Sequence, residues 1–381
     1  MAYFDNAATS FPKPDGVYTF MDQYYRINGA SAGRGTYEKA MSVSQLVSDT
    51  RCRLQKLLNC PAKQIVFTPT ATIALNIIIQ GLLQGERKTV YITPFEHNAV
   101  TRTLHHFESL GQATIIQLKL DRHLKYDIDG INHQFIDHKP DIIIMSHASN
   151  VCGLVAPVER LSVLAKQHGA TVIIDMAQTA GLVPCNAGLE TIDFVVFAGH
   201  KTLYGPTGIS GFAMNPAIKL CPMLFGGTGF DSANQDMPDS LPERYEMGTL
   251  NSVGIAGLNA ALRWIEEIGI ESIRDVERQK RKKLIDLLSK FDFIRFVGVE
   301  PDNDYVGVVS VLVEGISSDG CGSIFDRLGI SVRTGLQCAP LAHKYLGTYP
   351  AGTVRFSVGY FTNDEDFFEL EKALAYIGEN L

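Results

Sequence analysis

The 381-residue chain has no excess of basic charge, no long apolar run, no paired cysteines and none of the glycine signatures of nucleotide binding. Each absence removes a class of function. A formal net charge of −7 leaves no basic face for a phosphate backbone, so no nucleic-acid partner is expected. No apolar stretch approaches the ~20 residues of a membrane span. The opening Met1-Ala-Tyr-Phe-Asp-Asn6 lacks the charged start and apolar centre of a secretory signal. A cytoplasmic protein with no membrane partner is the expectation. The seven cysteines include no C-x-x-C pair, and an odd number suits a reducing compartment better than a closed disulfide framework. No G-x-G-x-x-G follows a strand-like run, and G-x-x-x-x-G-K-[ST] is missing, which argues against dinucleotides and nucleoside triphosphates. H-E-x-x-H and other clustered ligand spacings are missing too, so no metal is expected.

Against those absences stands Asp193 to Gly211, in which an apolar run from Phe194 to Phe197 ends in Gly199-His200-Lys201 and a glycine-bearing loop. The run reads as a buried strand. A lysine at such a strand end either caps the strand in water or is desolvated, and desolvation favours the neutral, nucleophilic amine a Schiff base requires. Upstream, Thr171-Val-Ile-Ile-Asp175 is a second apolar run closed by a carboxylate, followed at a short interval by Gln178. Asp175 read alone is also a fair helix N-cap. Together, strands ending in Asp175 and Lys201 put both groups at the carboxyl edge of one sheet, where open α/β sheets bind ligands. An acid for a pyridine nitrogen and a lysine for an aldehyde carbon are the two contacts pyridoxal 5′-phosphate (PLP) most requires.

The rest of the chain supplies alternating strands and helices. Ser42 to Leu58 has helical apolar spacing, and Ile65 to Thr68 reads as a strand. Pro69-Thr-Ala71-Thr72 then opens a helix, whose free amides offer a phosphate site or an ordinary capped end. Strands are expected at Val90 to Thr93, Thr114 to Leu118 and Asp141 to Met145, with His97 and Asn150 in the turns that follow the first and third. A flat imidazole at His97 can stack on an aromatic cofactor and move protons. Helices are expected over Pro157 to His168, Gly254 to Ile268, Val276 to Phe291 and Asp319 to Leu328, and a strand over Val306 to Val313. The basic run within the third of these helices reads as a solvated face. Gly29-x-Ser31-x-Gly33 matches the hydrolase nucleophile elbow, but Asp22 to Ile27 before it reads as a helix end, and the elbow needs a strand. Near the C-terminus, Cys338 lies in a polar, glycine-containing turn close to Arg333, and Arg355 interrupts an apolar strand. A planar guanidinium there suits a bidentate grip on a carboxylate.

Asp175-x-x-Gln178, Gly199-His200-Lys201 and Arg333-Thr-Gly-Leu-Gln-Cys338-Ala resemble the class V aminotransferase group of fold-type I PLP enzymes. Within it they are most similar to cysteine desulfurases and selenocysteine lyases of the SUF-like, compact-loop branch. The resemblance runs from Tyr3-Phe-Asp-Asn to the last helix. It implies an α/β chain with an N-terminal arm (1–15), a large PLP-binding domain with a mostly parallel sheet (16–255) and a smaller α+β domain carrying the cysteine loop (256–381). Lys201 is implied to hold PLP and act as the base, with Asp175 on the ring nitrogen, Gln178 on the phenolic oxygen and His97 over the ring. Ala71, Thr72 and His200 are implied at the phosphate, joined by Thr249 from the partner of a homodimer. Asn150 is implied at the ring oxygen or the substrate carboxylate, Arg355 at that carboxylate, and Arg34 at the cavity mouth. Cys338 is implied to take sulfur from L-cysteine as a persulfide and pass it to an acceptor protein. L-Selenocysteine would make the same contacts. A C–S lyase, an aminotransferase and a non-catalytic scaffold remain as alternatives. The chain departs from the family's pattern at Ala198, where serine is common, at Thr202, which is inserted, at Ala71, where threonine is common, and at Gln337, where histidine is usual.

Overall fold

The structure is a computed structural model that describes residues 1–32, 35–229 and 233–380. After a short β1 (Ala2–Tyr3), helices α1 (Asp15–Ile27) and α2 (Glu38–Leu57) lead into an alternating α/β body. That body comprises β2 (Gln64–Thr68), α3 (Ala71–Leu82), β3 (Lys88–Ile92), α4 (Asn98–Ser109), β4 (Ala113–Gln117) and α5 (Ile128–Asp137). It continues through β5 (Ile142–Ser146), α6 (Val158–Gln167), β6 (Thr171–Asp175), β7 (Phe194–Ala198) and β8 (Ser210–Met214). These strands form one seven-stranded sheet in the order β2-β8-β7-β6-β5-β3-β4. β8 alone runs against its neighbours. Strands β5, β6, β7 and β8 carry buried residues almost throughout, as expected where helices cover both faces. Two apolar cores lie on opposite faces: Val172, Ile174, Val195 and Phe197 point to one, Ile173, Phe194 and Val196 to the other.

Helix α7 (Ser252–Ile268) packs along α1 and α2, so the expected division at 255/256 falls inside this helix. Then follow α8 (Ile270–Leu288), β9 (Ile294–Val297), β10 (Val308–Val313), α9 (Ser318–Arg327), β11 (Ile330–Ser331), β12 (Arg333–Gly335), α10 (Pro340–Tyr345), β13 (Thr353–Ser357) and α11 (Asp364–Glu379). The second sheet is antiparallel, in the order β12-β13-β10-β9, over its own core of Val309, Val311, Phe325 and Phe356. β1 pairs in parallel with β11, which ties the first residues of the chain to its last third.

Most of the elements expected from periodicity are present, with shifted ends. α8 begins at Ile270 rather than near Val276, because Gly269, with φ of +87°, separates it from α7. β10 starts at Val308, since Val306 is occupied in a turn. α5, β8, β9, β11, β12 and α10 were not anticipated. β8 reads Ser-Gly-Phe-Ala-Met, and its glycine is required because a Cβ at Gly211 would lie 2.2 Å from the Val66 carbonyl oxygen. Among the described residues, no helix is long and apolar enough to cross a membrane.

Candidate active site

Three strand ends of the large sheet set one wall of a cavity of about 290 Å³. β6 stops at Asp175, whose Oδ1 accepts the Ala177 amide at 2.9 Å and whose side chain is buried. Burial raises the Asp175 pKa, opposed by that amide and by the positive charge of Lys201. β7 ends at Ala198, and the tight turn after it delivers Lys201 to the same wall. Burial pushes the Lys201 ammonium down to about 8, with Asp175 resisting the shift and Arg355 adding to it. The amine therefore loses its proton at a lower pH than a solvated lysine does. β5 ends at Ser146, and beneath it lies the fully buried Glu96, held by Ser146 N (2.7 Å), Ser146 Oγ (2.8 Å) and Thr93 Oγ1 (2.7 Å). Burial pushes the Glu96 carboxyl up to about 7.

His97 caps α4. Its Nδ1 accepts the Ala99 amide at 3.0 Å, so a neutral ring carries its proton on Nε2. Burial, with Lys201, Arg102 and Arg355 nearby, lowers its pKa to about 4. His200 falls to about 4 as well, first by burial and then by Lys201 and Lys13. The opening turn of α3, with Ala71 and Thr72, closes the far end of the cavity, and the first amides of a helix have no carbonyl of their own helix to meet. Thr70 caps that turn through Oγ1 and the Ile73 amide at 3.2 Å.

The antiparallel sheet supplies the other wall. Arg355, on β13, donates Nη1 to the Asn150 carbonyl (2.9 Å) and Nη2 to Asp5 Oδ1 (2.8 Å). Cys338 is exposed in the turn between β12 and α10, with φ of +57° after Gln337 at +41°. Two consecutive residues in the left-handed region without glycine cost roughly 1–3 kcal/mol each, so contacts must hold the turn. They come from both sides. Cys338 O accepts the Asn98 amide at 2.7 Å, and Gln337 O accepts Asn150 Nδ2 at 2.6 Å. The Gln337 side chain turns inward, donating to Thr353 O (3.1 Å) and meeting His343 Nε2 through Oε1 (2.8 Å). Because that oxygen can only accept, His343 carries its proton on Nε2 and accepts from Thr348 Oγ1 on Nδ1 (2.7 Å).

The cavity thus gathers Lys201, Asp175, Gln178, His97, His200, Ala71, Thr72, Asn150, Arg355 and Cys338. It does not include Thr249, which is exposed outside it, and Arg34 lies outside the described residues. Gln178 has already given one amide hydrogen to the Ala7 carbonyl at 2.9 Å. The sequence reading assigned no role to Asp5, Glu96 or His343. Asp5 was visible only within the Tyr3-Phe-Asp-Asn opening, and nothing local connects it to an arginine 350 positions away.

A family model described as aminotransferase class-V matches residues 2–370. The chain belongs to the class V aminotransferase family. A probable cysteine desulfurase of Pyrococcus abyssi is 30% identical, with 96% of this chain and 91% of that protein aligned. A probable cysteine desulfurase of Xylella fastidiosa (strain Temecula1) is 29% identical over 98% of this chain and 90% of its own length. Among solved structures, the apo cysteine desulfurase of Thermococcus onnurineus NA1 superposes with a TM-score of 0.89 at 28% identity, covering 100% of this chain and 95% of its own. A cysteine desulfurase of Escherichia coli gives 0.86 at 26% identity, covering 100% and 95%. These neighbours share the fold-type I architecture, and the family works with PLP. The residues of this class V member fit that cofactor. Asn150 Oδ1, His200 Nδ1 and Arg355 Nε are buried polar atoms without a partner among the described residues, and all three residues line the cavity. Buried groups of this kind are ordinarily satisfied by something.

Proposed function

We propose that the protein is a PLP-dependent cysteine desulfurase that converts L-cysteine to L-alanine and leaves the sulfur as a persulfide on Cys338. The observation that carries this reading is a single cavity lined by a desolvated lysine, a buried carboxylate, a buried arginine and an exposed cysteine. Lys201 is the residue to hold the cofactor, with Asp175 at the ring nitrogen, Gln178 at the phenolic oxygen and His97 against the ring. Ala71, Thr72 and His200 are assigned to its phosphate. When bound, PLP supplies the electron sink that lets the substrate's α-carbon lose a proton and its C–S bond part.

Arg355 takes the substrate carboxylate, with Asn150 beside it. With its amine free, Lys201 would be the base for the α-proton, since burial lowers that amine's pKa to about 8 and a pKa near the working pH serves general base catalysis best. The Cys338 thiolate attacks the substrate sulfur. A sulfur–sulfur bond forms, the carbon–sulfur bond breaks, and the three-carbon product takes up protons to leave as alanine. His97, neutral and carrying its proton on Nε2, is placed to donate. A thiol or an acceptor protein then removes the persulfide sulfur.

A homodimer is part of this proposal, with Thr249, which is not among the described residues lining its own chain's cavity, assigned to the partner's site. Leu224 and Phe225, in the same long loop region, are exposed apolar residues, which suits a partner contact. A reducing, cytoplasmic setting also belongs to the proposal, since seven cysteines with no C-x-x-C pair suit it better than a closed disulfide framework. The test is alanine and sulfide release from L-cysteine with a reductant, comparing wild type with Cys338→Ala. Equal amounts of alanine and sulfide, lost in the variant, support the proposal. Pyruvate with ammonia, or activity indifferent to Cys338, would overturn it in favour of a lyase.

A further inference from the structure

Arg333 and Arg355 are direct partners in the antiparallel ladder between β12 and β13. Like charges placed directly opposite each other destabilise a strand pair. Here a third residue answers them from the far end of the chain. Asp5 Oδ1 accepts from Arg355 Nη2 at 2.8 Å, and its Oδ2 faces Arg333 Nη1 at 3.7 Å. The arm that carries it is pinned by main-chain contacts. Asp5 bridges Ser357 in parallel, the Ser357 amide donates to the Phe4 carbonyl (2.7 Å), and the Ala7 amide donates to Ser357 Oγ (2.9 Å). The carboxylate is therefore a fixed part of the cluster and not a passing surface charge.

The cluster holds two guanidinium charges and one carboxylate, and both arginines line the cavity while Asp5 does not. One positive charge is left over, and Arg355 Nε is a buried donor with no partner among the described residues. That remainder matches one more carboxylate. If Asp5 were neutral, two opposed arginines would face the cavity uncompensated, and the cluster would take up anions more strongly.

We infer that Asp5 is a positioning residue for substrate binding: it holds Arg355 in place and, by cancelling one of two opposed arginine charges, sets how strongly the site takes an amino acid's carboxylate. The inference rests on Arg355 as the carboxylate anchor. It makes the N-terminal arm part of the substrate site: Ala7 and Ala8 line the cavity, and Asp5 acts on it through the arginines without lining it.

The experiment uses the holoenzyme and reads KM for L-cysteine together with competitive inhibition by propionate, a carboxylate without an amino group or sulfur. Asp5→Asn keeps an oxygen to accept from Arg355 and removes the charge. It should lower KM and tighten propionate inhibition by about tenfold. Asp5→Ala removes the oxygen as well, so Arg355 loses its alignment and both constants should move the other way. The effect falls on KM rather than kcat. A merely structural arm contact would instead lower the melting temperature in both variants with no opposite movement of KM. Asp5→Asn leaving both constants unchanged, or weakening them as Asp5→Ala does, overturns the inference. Should Asp5→Asn fail to fold, Arg333→Gln removes one positive charge with Asp5 intact. It should weaken propionate inhibition by about tenfold, and no change there is equally fatal. Arg355→Lys is measured alongside. If it alters neither constant, the carboxylate is anchored elsewhere and the reading of the site itself fails. If it weakens both while the Asp5 variants do nothing, only the role of Asp5 is lost.

Discussion

The two walls of the cavity solve opposite electrostatic problems. The wall built from the parallel sheet is dry, and its ionisable groups are pushed towards neutrality: Lys201 down to about 8, His97 and His200 down to about 4, Glu96 up to about 7. The wall built from the antiparallel sheet keeps its charges by pairing them, as Arg355 and Arg333 do with Asp5, and presents an exposed thiol on a turn. Neutral, desolvated groups suit proton transfer and capture of an aldehyde. Paired charges and an exposed sulfur suit holding a carboxylate and handing a product outward. The fold separates these tasks by sheet, so each wall can be damaged while the other survives.

The most severe damage should come from Lys201→Ala on the dry wall. Alanine formation should fall by at least about 10³-fold, and the visible absorbance of the lysine-bound cofactor should be lost together with activity. A variant that keeps both would place the base and the cofactor attachment elsewhere. On the other wall, Gln337→Ala strips the turn of its inward anchor and leaves the His343 Nε2 hydrogen without an acceptor. Misplacing Cys338 should lower kcat about 10- to 100-fold while the cofactor band stays intact. Loss of that band along with kcat would mean that the two walls are not separable.

The smallest effect probes the seam. Glu277, on α8, is buried where the two halves meet and accepts the Gly307 amide at 2.8 Å. Burial pushes its carboxyl up to about 7 from 4.5. Between those values the folded protein binds more protons at this site than the unfolded chain does, so its contribution to stability falls as pH rises through that window and levels off above about 7. Glu277→Gln keeps the acceptor and removes the titration. Relative to wild type its melting temperature should be nearly unchanged at pH 4.5 and higher by about 2–5 °C at pH 8. A difference independent of pH would show that the seam is not dry.

Much of the dry wall was legible beforehand because its signals are local. A run such as Thr171 to Asp175 announces a buried strand and its polar end within five residues, and neighbouring parallel strands then bring their ends to one edge. Gly199-His200-Lys201 could be read the same way. The antiparallel wall was less legible. Arg355 and Cys338 stood out by residue type, but the inward turn of Gln337 onto His343 follows from a register between β12 and β13 that no short stretch announces. β8 was missed because its glycine and serine are poor strand formers, and its place is set by the close approach of β2 and β7.

The amino-acid sequence alone determined the alternation of elements, the family and the chemical types at the site, since periodicity and strand-end residues act over a few positions. Tertiary structure decided which charges meet. Asp5 becomes the counter-ion of Arg355 and Arg333 only after β1 pairs with β11 and the arm is laid against β13. The Lys201 ammonium gives up its proton more readily than a solvated lysine only after the body closes around it, because desolvation belongs to the packed surroundings and not to the residue.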